Sequence, residues 1–169
     1  MYALRLWSVR HARGLNAFYR IFESTLARLE GLFRLLGYER LERPVAAVEQ
    51  VVKGLLFDCK MCGQCVLSST GMSCPMNCPK NLRNGPCGGV RDNGNCEVKS
   101  DMRCVWVEAY RGSLRIPGGV QAMSKVQLAV DQRQKGRSSW LRVVRELEQA
   151  GAPQVDRAPS PSRPKSGAP

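Results

Sequence analysis

Residues 58–104 read DCKMCGQCVLSSTGMSCPMNCPKNLRNGPCGGVRDNGNCEVKSDMRC, and they contain all eight cysteines of the 169-residue chain. Six glycines and three prolines are interspersed among the cysteines, whereas aliphatic side chains are few. A segment of this composition buries too little apolar surface to offset about 1–2 kcal/mol of backbone entropy per residue. We therefore expect a bound metal to order it, since a structural zinc site contributes about 10–16 kcal/mol in small peptides.

Three kinds of cysteine chemistry compete for this segment. Disulfides suit an oxidising compartment, but the N-terminus lacks the unbroken apolar stretch of a secretory signal. Zinc takes four ligands, and the only histidine, His11, lies far outside the segment, so thiolates alone would hold the ion. Iron–sulfur clusters of the 4Fe–4S type take four thiolates each, and eight is twice four.

The spacing favours iron–sulfur chemistry over the other two. Cys59-x2-Cys62-x2-Cys65 matches the first three ligands of the bacterial ferredoxin pattern, and Cys74-x3-Cys78-Pro79 matches its end. We rank two 4Fe–4S clusters first, one cluster with one zinc ion second, and zinc alone third. The glycines are expected either to donate N–H groups to sulfur or only to form turns.

Helices are predicted on both sides of the cysteine segment. On the N-terminal side, residues 1–43 carry one apolar stripe with helical spacing, and Gly37 is a predicted stop. A further helix is expected from Pro44 to about Leu56, with Val45, Val48, Val52 and Leu55 or Leu56 on its inner face. The members of the first stripe are Leu15, Phe18, Phe22, Leu26, Leu29, Phe33 and Leu36.

The C-terminal side begins with Val105–Tyr110, predicted as a short strand or the start of a helix. A helix over residues 139–149 follows, with Trp140, Val143, Val144 and Leu147 inward. The predicted fold class is a small α-rich domain with an irregular, metal-stabilised Cys-rich core and few short strands. We divide the chain into a helical N-terminal region (1–43), a Cys-rich metal-binding domain (44–112), a C-terminal helical extension (113–150) and a disordered tail (151–169).

Length and charge exclude several classes of protein. The chain is too short for a complete (β/α)₈ barrel, and no apolar run approaches the roughly 18 residues of a membrane span. We expect a cytoplasmic protein without a membrane partner.

The 26 Lys and Arg against 14 Asp and Glu give a net charge of +12, an electrostatic footprint suited to phosphate binding. That charge is spread along the chain, and Phe18, Tyr19 and Phe22 are expected in a helix core, so a nucleic-acid partner is not favoured.

Two strings within the segment resemble a known family. Cys74-Pro-Met-Asn-Cys-Pro-Lys80 and Asn84-Gly-Pro-Cys-Gly-Gly89 are similar to the cysteine-rich C-terminal domain family associated with methylenetetrahydrofolate reductase. The same module resembles the small, metal-containing subunit of two-subunit reductases in acetogenic bacteria. The resemblance covers roughly residues 45–112.

The resemblance implies the role of an accessory subunit. Its partner would be a flavin-dependent (β/α)₈ barrel that reduces methylenetetrahydrofolate, with the flavin only in that barrel. The chain itself shows no catalytic residues and no Rossmann glycine motif, so it is not expected to catalyse the folate reaction alone. The resemblance implies these candidate metal ligands: Cys59, Cys62, Cys65, Cys74, Cys78, Cys87, Cys96 and Cys104.

Two alternative functions remain open at this point: a structural zinc adaptor without a redox role, and a metal-dependent nucleic-acid-binding module. In the electron-transfer interpretation, Lys80 and Asn84-Gly85-Pro86 are candidates for a docking face. They are equally well interpreted as a solvated lysine and turn residues.

Overall fold

The computed structural model describes residues 2–151, and for residues 148–151 only the backbone. The predicted α-rich fold is confirmed, and strands in this range are limited to two isolated antiparallel bridges, Val90–Cys96 and Asn95–Arg103. None of the described helices is both long and apolar enough to cross a membrane. The α-helices of the described range are α1 (Tyr2–Arg10), α2 (Ala12–Arg28), α3 (Glu30–Leu36), α4 (Tyr38–Phe57), α5 (Val105–Ser113), α6 (Gly119–Met123) and α7 (Ser139–Gly151).

The predicted N-terminal helical region forms three helices and the start of a fourth. Gly37, with φ of +82°, ends α3 at the predicted stop, because glycine adopts this left-handed conformation without steric cost. The predicted apolar stripe is only partly buried. Phe22 packs edge-on against Trp140 of α7 with ring centroids 4.8 Å apart, whereas Phe18 is 68% exposed.

Helix α4 begins six residues before its predicted start at Pro44, which lies inside the helix. Proline removes one backbone hydrogen bond there, so contacts elsewhere must hold the first turns. Helix α7 and the residue before it supply those contacts. Glu42 accepts the backbone N–H of Ser138 at 2.6 Å, and the Arg145 guanidinium lies 5.0 Å from the Tyr38 ring centroid.

The predicted inner face of α4 is confirmed only at Leu56, which packs against buried core residues, and in part at the half-buried Val45. Val48, Val52 and Leu55 are exposed, and the buried residues are Glu49, Lys53 and Phe57. Charged side chains occupy the interior because they pair with each other there, and Phe57 continues their face into the core. An apolar stripe alone could not reveal this, since the valines and leucines occupy an equally regular face of the same helix.

The segment after the cysteines folds as helix, so the helical alternative for Val105–Tyr110 is confirmed. Helix α7 is also confirmed, with Trp140 and Val144 buried, but Leu147 is 48% exposed and Leu141 takes an inner position instead. The predicted disordered tail lies outside the described residues apart from Gly151.

Two separate apolar clusters of the described residues contain cysteines. The first combines residues of α2 and α4 with the cysteine segment, and its members are Ala12, Phe57, Leu67, Met72, Cys74 and Ile116. The second lies at the start of α5, and its members are Cys78, Cys104, Val105, Trp106 and Ala109. The irregular segment between α4 and α5 therefore packs through its cysteines on two small cores rather than on one.

Candidate metal centre

The first four cysteines of the chain line a single cavity. Cys59, Cys62, Cys65 and Cys74 share this small cavity of about 20 Å³ with residues of α4 and the first residue of α7. We call these four cysteines the first group. Three of them are close because they are closely spaced in sequence, whereas Cys74 reaches the cavity through the loop that follows Leu67–Ser69.

The end of α4 presents the first group. Asp58 adopts the left-handed conformation (φ 52°, ψ 47°), and its N–H bonds to the Gly54 carbonyl. The Cys59 N–H then bonds to the Lys53 carbonyl at 3.3 Å, a pairing typical of a helix C-terminus. The chain therefore turns sharply at Asp58, directly before the first cysteine.

The loop from Cys59 to Cys65 is held by donors from elsewhere in the chain. Its Met61, Gly63 and Gln64 carbonyls accept from Gly136 N–H (2.8 Å), Arg142 (3.4 Å) and Arg83 (2.8 Å), respectively. Inside the loop, the Met61 N–H donates to Cys59 Sγ at 3.4 Å. The loop carbonyls are thus satisfied by donors outside the loop, and the Met61 amide hydrogen points at the Cys59 sulfur. A donor in this position stabilises negative charge on sulfur.

Electrostatics favour a thiolate at Cys59. A hydrogen bond from Cys74, together with the Met61 N–H and the Lys53 charge, lowers the pKa of Cys59 to about 7 against the opposing effect of burial. The pKa of Cys74 is raised well above its usual value, because Cys74 donates that hydrogen bond and is buried. The first group thus contains at least one sulfur ready to bind a cation near neutral pH.

A buried ion pair lies behind the first group. Lys53 Nζ is 2.8 Å from Glu49 Oε1 and 2.8 Å from Ser139 Oγ, and both charged side chains are 2% exposed. Glu49 also accepts from both Ser138 and Ser139 hydroxyls. Burial alone would lower the pKa of Lys53, but the Cys65 and Glu49 charges raise it overall, so Lys53 remains a cation.

We call the last four cysteines the second group, and three of them lie in or beside the second apolar cluster. Cys78 and Cys104 are members of that cluster. Cys96 forms a β-bridge with Val90, and Val90 packs against the cluster. Cys87 is exposed, and its Sγ accepts the Gly89 N–H at 3.4 Å. The charges of both Cys87 and Cys96 act on Lys80, after the larger effect of its hydrogen bond with Glu97, to raise the pKa of Lys80.

In the described part of the chain, no three His, Cys, Asp or Glu side chains are close enough together to hold a metal ion. The first group therefore shares one cavity without forming a ready-made set of ligands for a single ion. All eight cysteines are free thiols in this range.

Two interpretations were offered for the glycines of the cysteine segment: donation of an N–H group to sulfur, or a purely structural role in turns. Gly89 donates to sulfur, as the first interpretation requires. Gly71 and Gly85 instead allow close packing, because a Cβ at Gly71 would meet the backbone of α5 and one at Gly85 would meet the Trp106 ring. Among the docking candidates, Asn84 exchanges two hydrogen bonds with Gln127 and Lys80 pairs with Glu97, contacts that favour the turn interpretation.

Sequence reasoning missed the charged residues next to the cysteines. Glu49, Lys53 and Phe57 recur every four residues along α4, directly before Cys59, and this register was the available signal. Arg83 has no feature in the sequence that distinguishes it from the other 25 Lys and Arg residues. Its position in the cavity of the first group follows from the loop fold, which carries no periodic pattern.

A family model described as "Methylene-tetrahydrofolate reductase C terminal" matches residues 38–133, more than half of the chain. The chain belongs to this family. The match is longer than the motif resemblance indicated: it begins with α4 and continues beyond α6, and it includes both cysteine groups. Helices α1 to α3 precede the part matched to the methylenetetrahydrofolate reductase C-terminal family. No curated protein and no solved structure matches the chain.

Proposed function

We propose that the chain is an iron–sulfur accessory subunit that passes electrons to a flavin-dependent methylenetetrahydrofolate reductase. The observation that carries the proposal is the gathering of Cys59, Cys62, Cys65 and Cys74 around one cavity, in a chain of the reductase C-terminal family. The second group offers four more thiols, of which Cys78 and Cys104 lie in a separate apolar cluster. All eight predicted ligands would thereby serve two centres.

The chemistry of the donors fits such centres. Thiolates are the usual protein ligands of iron–sulfur clusters, and amide hydrogens that point at sulfur tune their potentials. Each group supplies one such hydrogen bond, from Met61 to Cys59 and from Gly89 to Cys87. When bound, a 4Fe–4S cluster supplies a one-electron couple, so two clusters would match the two electrons that a flavin takes up.

The order of the cysteines in the sequence supports clusters over single zinc ions. Cys59-x2-Cys62-x2-Cys65 and Cys74-x3-Cys78-Pro79 match the two ends of the bacterial ferredoxin pattern. A zinc ion would instead take four thiolates at about 2.3 Å from one centre.

The flavin and folate sites would belong to the partner. A flavin barrel of this class is built on eight parallel strands, and residues 2–151 contain only two isolated bridges. This chain would hold the centres in place and contact the barrel. The buried Glu49–Lys53 ion pair would keep water from the first group.

Electron transfer can be tested directly with the two subunits. The chain is reduced under anaerobic conditions, freed of reductant and mixed with the oxidised flavin subunit, and flavin absorbance is followed. We expect rapid bleaching with the wild-type chain. The matched control is the double variant Cys62→Ser/Cys65→Ser, which should transfer fewer electrons because the first group lacks two ligands. Flavin that stays oxidised with fully reduced wild-type chain would contradict the proposal.

A further inference from the structure

The guanidinium of Arg83 is buried beside the first group with two donors unused. Arg83 lines the cavity that contains all four cysteines of this group. Its Nη2 donates to the Gln64 carbonyl at 2.8 Å, but Nε and Nη1 are buried and have no hydrogen-bond partner. Leaving charged donors unpaired away from water is costly, so an acceptor is expected at this place.

The cysteine sulfurs of the first group are candidate acceptors, because they line the same cavity as Arg83. The Gln64 carbonyl that accepts from Arg83 is also 3.6 Å from Cys62 Sγ, so guanidinium and thiol contact the same oxygen. Among the side chains described, those of residues 2–147, no carboxylate pairs with Arg83. A thiolate of the first group, or an inorganic sulfide held by it, would satisfy the two free donors.

Two other cations near the cysteines, Lys53 and Lys80, differ from Arg83 because each pairs with a carboxylate. Lys53 shares the cavity, but Glu49 balances its charge at 2.8 Å. Lys80, near the second group, is exposed and paired with Glu97. Arg83 has no such carboxylate among the described side chains, and burial of its Nε and Nη1 protects these donors from screening by solvent and salt.

We propose that Arg83 is a positioning residue that donates hydrogen bonds to sulfur at the first group and makes the centre held there easier to reduce than the centre at the second group. The inference rests on the proposed iron–sulfur function. One-electron reduction adds one negative charge to a centre, so a fixed cation and N–H donors beside it stabilise the reduced form. An electron that enters the chain would settle at the first group.

A redox titration of the anaerobic, cluster-loaded chain, followed by electron paramagnetic resonance, tests this inference. We expect two reduction steps in the wild-type chain. In Arg83→Gln the higher step should move to lower potential by at least a tenfold change in the ratio of reduced to oxidised centre, which is about 59 mV for a one-electron couple. Arg83→Lys should keep part of the shift because it keeps the charge but loses the fork of donors.

The matched control is Arg34→Gln, which removes the same charge from an exposed position on α3 and should leave both steps in place. Unchanged potentials in an Arg83→Gln chain with full iron content would overturn the inference and leave the proposed function intact. A wild-type chain without iron and sulfide would overturn both.

A second measurement does not depend on assembly of the Arg83→Gln chain. Wild-type chain labelled with ¹⁵N-arginine and partly reduced is studied by pulsed electron paramagnetic resonance. A weak ¹⁵N coupling to the centre that is reduced first is expected, and it should be lost in Arg83→Lys. Absence of this coupling in the wild-type chain would overturn the inference.

Discussion

At the scale of single residues, the Glu49–Lys53 pair connects the helices to the cysteines. Glu49 accepts hydrogen bonds from Lys53, Ser138 and Ser139, so one carboxylate joins α4 to the start of α7. The charge of Lys53 in turn helps to lower the pKa of the Cys59 thiol. Breaking a buried pair by removing one partner leaves an uncompensated charge in the interior, which is more costly than losing the pair as a whole.

Replacing Glu49 by glutamine should therefore destabilise the chain strongly. We expect Glu49→Gln to lower the free energy of unfolding by about 3–5 kcal/mol, because Lys53 stays buried without its counter-ion. The measurement is anaerobic urea denaturation of the metal-loaded chain, followed by circular dichroism.

The matched control for this experiment is Glu146→Gln. Glu146 forms the same kind of i,i+4 pair, with Arg142, but it is 54% exposed. Its replacement should change the free energy of unfolding by less than about 1 kcal/mol. Equal effects of the two substitutions would show that burial of the Glu49 charge has no energetic consequence.

At the scale of elements, the loop before Cys74 and helix α5 touch backbone to backbone. Gly71 has φ of +56°, and a Cβ on Gly112 of α5 would collide with the Gly71 carbonyl. Because no side chain fits between them, this contact fixes where the loop enters the first group. Ser73 adds a hydrogen bond to the Val105 carbonyl at 3.1 Å.

Alanine in place of two helical glycines should have effects of opposite sign. Gly112→Ala should destabilise the chain by about 1–3 kcal/mol, since the loop must move away from α5. Gly54→Ala in α4, where a Cβ meets nothing within 4 Å, should stabilise it by about 0.4–1 kcal/mol through a less flexible unfolded chain. The same denaturation measurement checks both. A stabilising Gly112→Ala would show that the close contact is absent.

The helices also show which features of the fold can be predicted from local sequence patterns. The helical periods and Gly37 predicted the α-rich fold, because an amphipathic helix and a helix stop depend on neighbouring residues only. The start of α4 and most of its buried face were wrong for the opposite reason. Pro44 is tolerated and Glu49 is buried because α7, distant in sequence, supplies the compensating contacts.

At the scale of the whole molecule, the structure gathers the first four cysteines around one cavity and puts Cys78 and Cys104 in a separate apolar cluster, so we propose that the eight cysteines divide into the first four and the last four. The closely spaced run at Cys59 predicted that three thiols would lie together. The placement of Cys74 with them, and of Cys78 with the second group, was not predictable, because only three residues separate the two and the intervening loop has no period.

Pairs of substitutions should distinguish this division from others. Cys62→Ser/Cys65→Ser removes two ligands of one group and should leave about four irons per chain, since the other centre stays complete. Cys65→Ser/Cys96→Ser removes one ligand from each group and should lower iron at both centres. Iron and sulfide analysis after anaerobic purification is the measurement. Equal iron content in the two variants would contradict the division into two groups.

Iron and acid-labile sulfide in the anaerobically purified wild-type chain test the central claim most directly. Two complete centres predict about eight irons and about eight sulfides per chain, with a brown colour that disappears on reduction. A colourless chain that folds with about one or two zinc ions and no sulfide, or with no metal of any kind, would contradict the claim that iron–sulfur centres order the cysteine segment.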